Sequence, residues 1–131
     1  MEQSISKQAT MINNDTNTSI ESMKSIATEL VLDRDWGQFH TPKDLSMNLS
    51  VESNELLEKF LWITSQASFE ESQKNRQEIE DEVGDILFSI FRFCSVSNID
   101  ATQAFLQKIE KIKQKYPIEK SKGSCAKYNK L

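Results

Sequence analysis

Turn-forming residues are scarce: the chain has three glycines and two prolines in 131 residues. A many-stranded sheet needs more of both, so a few long helices are the natural alternative. Histidine occurs once, at His40, which excludes a multi-histidine zinc centre and the repeated Glu-x-x-His motifs of a carboxylate-bridged di-iron bundle. Cys94 and Cys125 are the only cysteines. They lack metal-type spacing and need not pair, which fits a reducing cytoplasm. No apolar run reaches the roughly 18 residues needed to span a bilayer. The first residues lack the basic start and apolar stretch of a secretion signal. There is no glycine-rich loop and no internal repeat. Net charge is -4, which argues against a nucleic-acid backbone as partner.

What is present is helical periodicity. Residues 1–18 are rich in Ser, Thr, Asn and Gln and are read as a flexible N-terminal tail. Residues 19–131 are read as one domain. From Ser19 to Asp33 the residues Ile20, Met23, Ile26, Ala27, Leu30 and Val31 recur at helical spacing. The segment 34–42 interrupts the pattern and carries Trp36, Gly37, Phe39, His40 and Pro42. A second helix is expected from Thr41, a good N-cap with Pro42 behind it, to about Thr64. Its apolar stripe is Leu45, Leu49, Leu56, Phe60 and Ile63. A third helix runs from about Glu70 or Arg76 to Ser97, with Ile79, Val83, Ile86, Leu87, Ile90 and Cys94 on one side. A fourth, capped by Asp100, runs from Ala101 to about Lys115, with Ala104, Phe105, Ile109 and Ile112 inward; Pro117 stops it. The last 14 residues read as a basic polar tail. The expected fold class is all-α, a four-helix bundle.

Four acids stand out against this background. Glu52 and Glu55 form one E-x-x-E pair, and Glu82 and Asp85 form an E-x-x-D pair. A spacing of three puts both side chains of a pair on the same side of a helix. Such pairs usually mark a solvated surface. Three features argue otherwise here. Glu52 falls inside the apolar stripe of its helix, where an unpartnered acid is costly. The spacing is repeated on a second amphipathic helix. The 26 residues between Glu55 and Glu82 allow two antiparallel helices to set the pairs opposite each other. Four carboxylates in one small volume call for a hard cation, Mg²⁺ or Mn²⁺, and through it for chemistry on phosphates.

The E-x-x-E and E-x-x-D pairs, with RDWGQFHTPKDL at 34–45, ELLEKFLW at 55–62, KYP at 115–117 and the terminal KYNKL, resemble the MazG-like all-α nucleoside triphosphate pyrophosphohydrolases, in particular the dCTP pyrophosphatase branch. The resemblance covers about residues 20–131. It implies Mg²⁺-dependent cleavage of a dNTP, with dCTP or another pyrimidine dNTP expected, to the monophosphate and pyrophosphate, as nucleotide-pool house-cleaning. It implies metal ligands at Glu52, Glu55, Glu82 and Asp85, with Glu55 or Glu52 as the base that takes a proton from water. Spacing does not choose between these two. Other activities within the superfamily, dUTPase-like or on phosphoribosyl-ATP, are the alternatives. A non-catalytic helical interaction module is the alternative from another class.

Trp36 and Trp62 are candidates to stack on a base, or else to fill core gaps. His40 could hydrogen-bond a base or sugar, or cap the second helix. The resemblance matches Lys108 and Tyr116 to residues that bind the β- and γ-phosphates. Lys111 and Lys115 share their helix, and Glu58 and Glu78 lie one turn from the acids. The chain departs from its relatives in two places: Ile112 and Ser89 stand where relatives often carry Asn and Tyr. Leu57, Leu61, Phe91 and Phe93 lie off the main stripes and are expected to be buried against another chain. The expected assembly is a homotetramer, with a dimer as fallback, and no nucleic-acid or membrane partner.

Overall fold

The computed structural model describes residues 12–131. The expectation of a tail over residues 1–18 therefore lies outside the described residues as far as residue 11. Residues 14–18 form a turn held by Asn14, whose side-chain oxygen accepts from Thr16. Six helices follow: α1 (Ile20–Asp33), α2 (Pro42–Glu58), α3 (Ala67–Lys74), α4 (Arg76–Val96), α5 (Ala101–Lys115) and the short α6 (Ile118–Ser121). Single 3₁₀ turns occupy Gly37–Phe39 and Tyr128–Lys130. There is no strand among the described residues, so the all-α expectation holds.

The starts of the helices follow local chemistry. Ser19, Thr41 and Asp100 each accept a backbone N–H three residues on, from Ser22, Asp44 and Gln103. Each thereby satisfies one of the donors that a helix start leaves free.

The stops are less legible. The helix expected to run to Thr64 ends at Glu58. Its last turn tightens into i→i+3 bonds from Lys59, Phe60 and Leu61, and Trp62 then turns left-handed at φ 66°. Aromatic and β-branched residues (Phe60, Trp62, Ile63, Thr64) support a helix weakly. The left-handed residue does the terminating work usually given to glycine. The stretch with an uncertain helix start is a separate helix, α3. Thr64 caps it by accepting from Ala67 N–H. It breaks from α4 at Asn75, whose side-chain amide turns back to Glu71. The segment after Pro117 is not only a tail: it holds α6 and a final turn in which Tyr128 meets Tyr116 edge-on and lies under the Lys115 ammonium.

Packing centres on α4, which lies along α2, against α1 and, at its start, against α3. Ala27, Val31, Leu45, Phe91 and Cys94 are the buried apolar residues. Phe91 corrects an expectation. It lies off the main stripe yet is buried within its own chain, because α4 is covered from two sides and so buries a broader face than one stripe. Leu57 and Leu61 do stay exposed. Helix α5 buries no residue.

Candidate active site

Helices α2 and α4 run antiparallel, as their side-chain pairings require. His40, just before α2, meets Arg92 near the end of α4. Glu52 and Glu55 meet Glu82 and Asp85 in the middle. Lys59, just after α2, meets Glu78 and Glu82. Residue numbers fall on one helix as they rise on the other. The seam therefore has a histidine–arginine end, an acidic middle and a lysine end.

Carboxylate oxygens of Glu52, Glu82 and Asp85 all lie within 4.8 Å of one another. Glu55 is within hydrogen-bonding reach of Glu52 and Glu82. Glu52, Glu55 and Glu82 are half-buried and Asp85 is exposed, so the cluster opens to solvent on the Asp85 side. Partial burial raises the Glu52 carboxyl above its ordinary range, and the neighbouring charges of Asp85, Glu55 and Glu82 raise it further. Glu82 is raised for the same first reason, burial, then by Glu55; Lys59 pulls it back. The observation that tests for a metal is this accumulation of anionic charge on convergent oxygens. A hard divalent cation relieves it, and oxygen donors in this number suit one. The residues fit a metal ion.

Lys59 was not singled out by sequence pattern. Its ammonium sits 3.2 Å from Glu78 and 3.7 Å from Glu82, and the bond to Glu78 raises its basicity most. A lysine four residues past an acid pair is common, and only the pairing of α2 with α4 brings it to Glu78 and Glu82. Arg92 was also missed. It is 6 % exposed, with Nε donating to His40 Nδ1 at 3.2 Å and Nη1 donating to Thr28 Oγ1 at 2.9 Å. His40 also packs edge-on against Phe88.

Among the described residues no hydrogen bond or ion pair joins the remaining candidates to the acids. Trp36 is 43 % exposed and lies under the Arg34 guanidinium. Trp62 is 98 % exposed and sits in the turn after α2, not on the helix. Lys108 is exposed and Tyr116 half-buried; both are carried by α5 and its end, which share no extensive packing with the α2–α4 seam.

An all-helical frame opposes two acid pairs across one seam, and comparisons with known proteins give its class of enzyme, the nucleoside triphosphate pyrophosphohydrolases. The model of the MazG-like family matches residues 47–131, and the chain belongs to that family. It is similar to dCTP pyrophosphatase 1 of Mus musculus, with 30% identity over 115 residues, which cover 86% of this chain and 68% of the relative. The same protein of Bos taurus is 31% identical over the same coverage. Among solved structures it resembles a pyrophosphatase from Archaeoglobus fulgidus DSM 4304, with a TM-score of 0.74 and 34% identity, over 82% of this chain and 99% of that one.

Proposed function

We propose that this enzyme hydrolyses dCTP to dCMP and pyrophosphate at the acidic middle of the α2–α4 seam, with Mg²⁺ as its metal. The observation that carries the reading is the convergence of Glu52, Glu82 and Asp85 oxygens within 4.8 Å. The names of the relatives at about 30% identity support the choice of base. Glu52, Glu55, Glu82 and Asp85 hold the metal. When bound, the metal neutralises phosphate oxygens and the charge that develops on them.

The chain's own residues do the rest. Glu55 or Glu52 accepts a proton from the water that attacks the α-phosphorus. Pyrophosphate leaves. Trp36, His40 and Trp62 take the base and sugar, and Lys108 and Tyr116 take the outer phosphates.

A second copy of the chain completes this arrangement. Phe105, Leu106 and Ile118 stand 63%, 56% and 74% exposed on α5 and α6, too much apolar surface along one stretch for a helix meant to face water. A homotetramer, with a dimer as fallback, covers that surface and lets α5 of one protomer approach the seam of another. Two unpaired cysteines are compatible with work in the cytoplasm. No helix among the described residues is long and apolar enough to cross a membrane.

The test is direct. Purified protein is incubated with Mg²⁺ and each dNTP in turn, and products are resolved. The expected result is dCMP and pyrophosphate, with dCTP turned over fastest. Release of orthophosphate alone, or a faster reaction with any other dNTP, would refute the assignment.

A further inference from the structure

The buried end of the seam holds a feature that the hydrolytic chemistry does not use. Arg92 is almost fully enclosed, yet it makes no ion pair with a carboxylate among the described residues. Its partners are two neutral groups, His40 Nδ1 and Thr28 Oγ1. Burying a guanidinium without a counter-charge is unfavourable, and an apolar residue would usually pack there at lower cost. A cation kept at such a place points to a task.

The hydrogen bond itself says what the task is. A guanidinium nitrogen can only donate, so His40 Nδ1 must be the accepting, unprotonated nitrogen. The ring of a neutral His40 then carries its hydrogen on Nε2. The second nitrogen of the only histidine in the chain is thereby set as a donor. The position matters as much as the tautomer. Arg92 follows Asp85 by seven residues, two turns of α4 on the same face, about 10 Å along the axis. Phe88 lies between them on that face and packs against His40. The His40–Arg92 pair thus sits beyond the acidic middle of the same seam, by a distance comparable to the reach from the triphosphate of a nucleotide to its base.

We infer that Arg92 is a positioning residue for base recognition: it holds His40 with hydrogen on Nε2, so that this end of the seam offers a donor to a pyrimidine that presents an acceptor at ring nitrogen N3, as cytosine does. Uracil and thymine carry a hydrogen at N3 and would meet the His40 donor with a donor of their own. A site built around one hydrogen bond rejects such a ligand because the buried polar groups are left unpaired. The inference rests on the reading of the chain as a dCTP hydrolase and adds how the base would be told apart.

With one histidine in the chain, long-range ¹H–¹⁵N NMR reads the tautomer of His40 without ambiguity and without turnover. The expected spectrum at neutral pH shows a single form with hydrogen on Nε2. Addition of dCMP shifts the Nε2 resonance and addition of dUMP does not. In Arg92→Met the ring exchanges between tautomers, and the preference for dCTP over dUTP in kcat/KM falls by about tenfold, or 1.4 kcal/mol. In a His40→Ala background the same Arg92→Met change alters that preference by less than about twofold, because coupled residues are not additive. A wild-type ring with hydrogen on Nδ1, an unchanged preference in Arg92→Met, or additive effects in the double variant would each overturn the inference while leaving pyrophosphate release intact. Wild-type protein inert on every dNTP would overturn the hydrolase reading and the inference with it.

Discussion

The two long C-terminal helices, α4 and α5, have the same kind of sequence and opposite fates. Both are amphipathic and both are well capped or well paired. Helix α4 is clasped by α1 and α2 and buries Ser89, Phe91, Arg92 and Cys94. Helix α5 buries nothing. Periodicity therefore says that a helix has an apolar face, not which molecule that face meets. The chemistry follows the same division. Acids that oppose each other across α2 and α4 converge within one chain, whereas Lys108 and Tyr116, proposed for the outer phosphates, ride on and at the end of a helix that buries no residue of its own.

The largest effect that would test this division is at the converged acids. Glu55→Gln keeps shape and removes a proton acceptor and a ligand. Turnover should fall by about 10²–10⁴-fold with the circular dichroism spectrum unchanged, and a rate near wild type would remove Glu55 from the mechanism. Next comes the core. Leu45 is 1% exposed on α2, so Leu45→Ala should cost about 2–5 kcal/mol in chemical denaturation. The matching change on α5, Phe105→Ala, should cost a dilute monomer no more than about 0.5 kcal/mol. In the proposed assembly it should lower the mass seen by light scattering and make the melting temperature fall on dilution. Equal costs for the two substitutions, with no change in mass, would show that α5 packs onto its own chain.

Much of this was legible in the sequence, for definite reasons. The starts of α1, α2 and α5 are written in Ser19, Thr41 and Asp100, because a capping side chain acts on a backbone donor only three residues away. That the two acids of each pair share one side of a helix is legible, because helix geometry fixes what a spacing of three does wherever the helix goes. The end of α2 is not legible. Phe60 and Ile63 keep the apolar rhythm, while the turn is set by the backbone at Trp62, whose positive φ has no glycine to announce it. The burial of Phe91 and Arg92 is not legible either, since it depends on α1 and α2 covering α4 from two sides. Lys59 reaches Glu78 and Glu82 only through the antiparallel register of α2 and α4, which no local pattern encodes.

Titration sharpens the comparison within the seam, since its acidic middle and its histidine–arginine end shift in opposite senses. Burial, then Asp85 and Glu55, raise the Glu52 carboxyl. The metal-free native state therefore holds that proton more tightly than the unfolded chain. The stabilisation is complete below the ordinary carboxylate range and is lost as pH rises through the raised value. Burial, then Arg92, lower His40 from 6.5. The native state prefers the neutral ring, so this contribution is present above pH 6.5 and is lost as pH falls through the lowered value. In metal-free protein the Glu52 contribution should therefore fall as pH rises out of the ordinary carboxylate range, and the His40 contribution should fall as pH drops below 6.5. Mg²⁺, which binds the deprotonated acids, should offset the Glu52 loss and leave the His40 loss unchanged. Calorimetric melting temperatures across pH, with Mg²⁺ and with a chelator, would check this: the stabilisation by Mg²⁺ should grow as pH rises, and one that grows as pH falls would contradict it.

The smallest expected effect compares two N-caps. The Thr41 hydroxyl on α2 accepts from Asp44 N–H and donates to the Asp44 carboxylate, and the Asp100 carboxylate on α5 accepts from Gln103 N–H. Replacing either by alanine removes a cap worth about 1 kcal/mol. Helix α2 is part of the clasped core, so the first turn cannot fray without loosening Leu45. Thr41→Ala should therefore lower the global unfolding free energy by about that amount and speed exchange of core amides in α4. In a dilute monomer, the first turn of α5 can open without disturbing α4. Asp100→Ala should there speed exchange of the amides of Gln103 and Ala104 and leave the protection of Phe91 and Arg92 unchanged. At concentrations where chains assemble, the two variants should behave alike, since α5 would then be as firmly covered as α2. A difference that persists unchanged into the concentrated protein would mean that the apolar face of α5 stays in water.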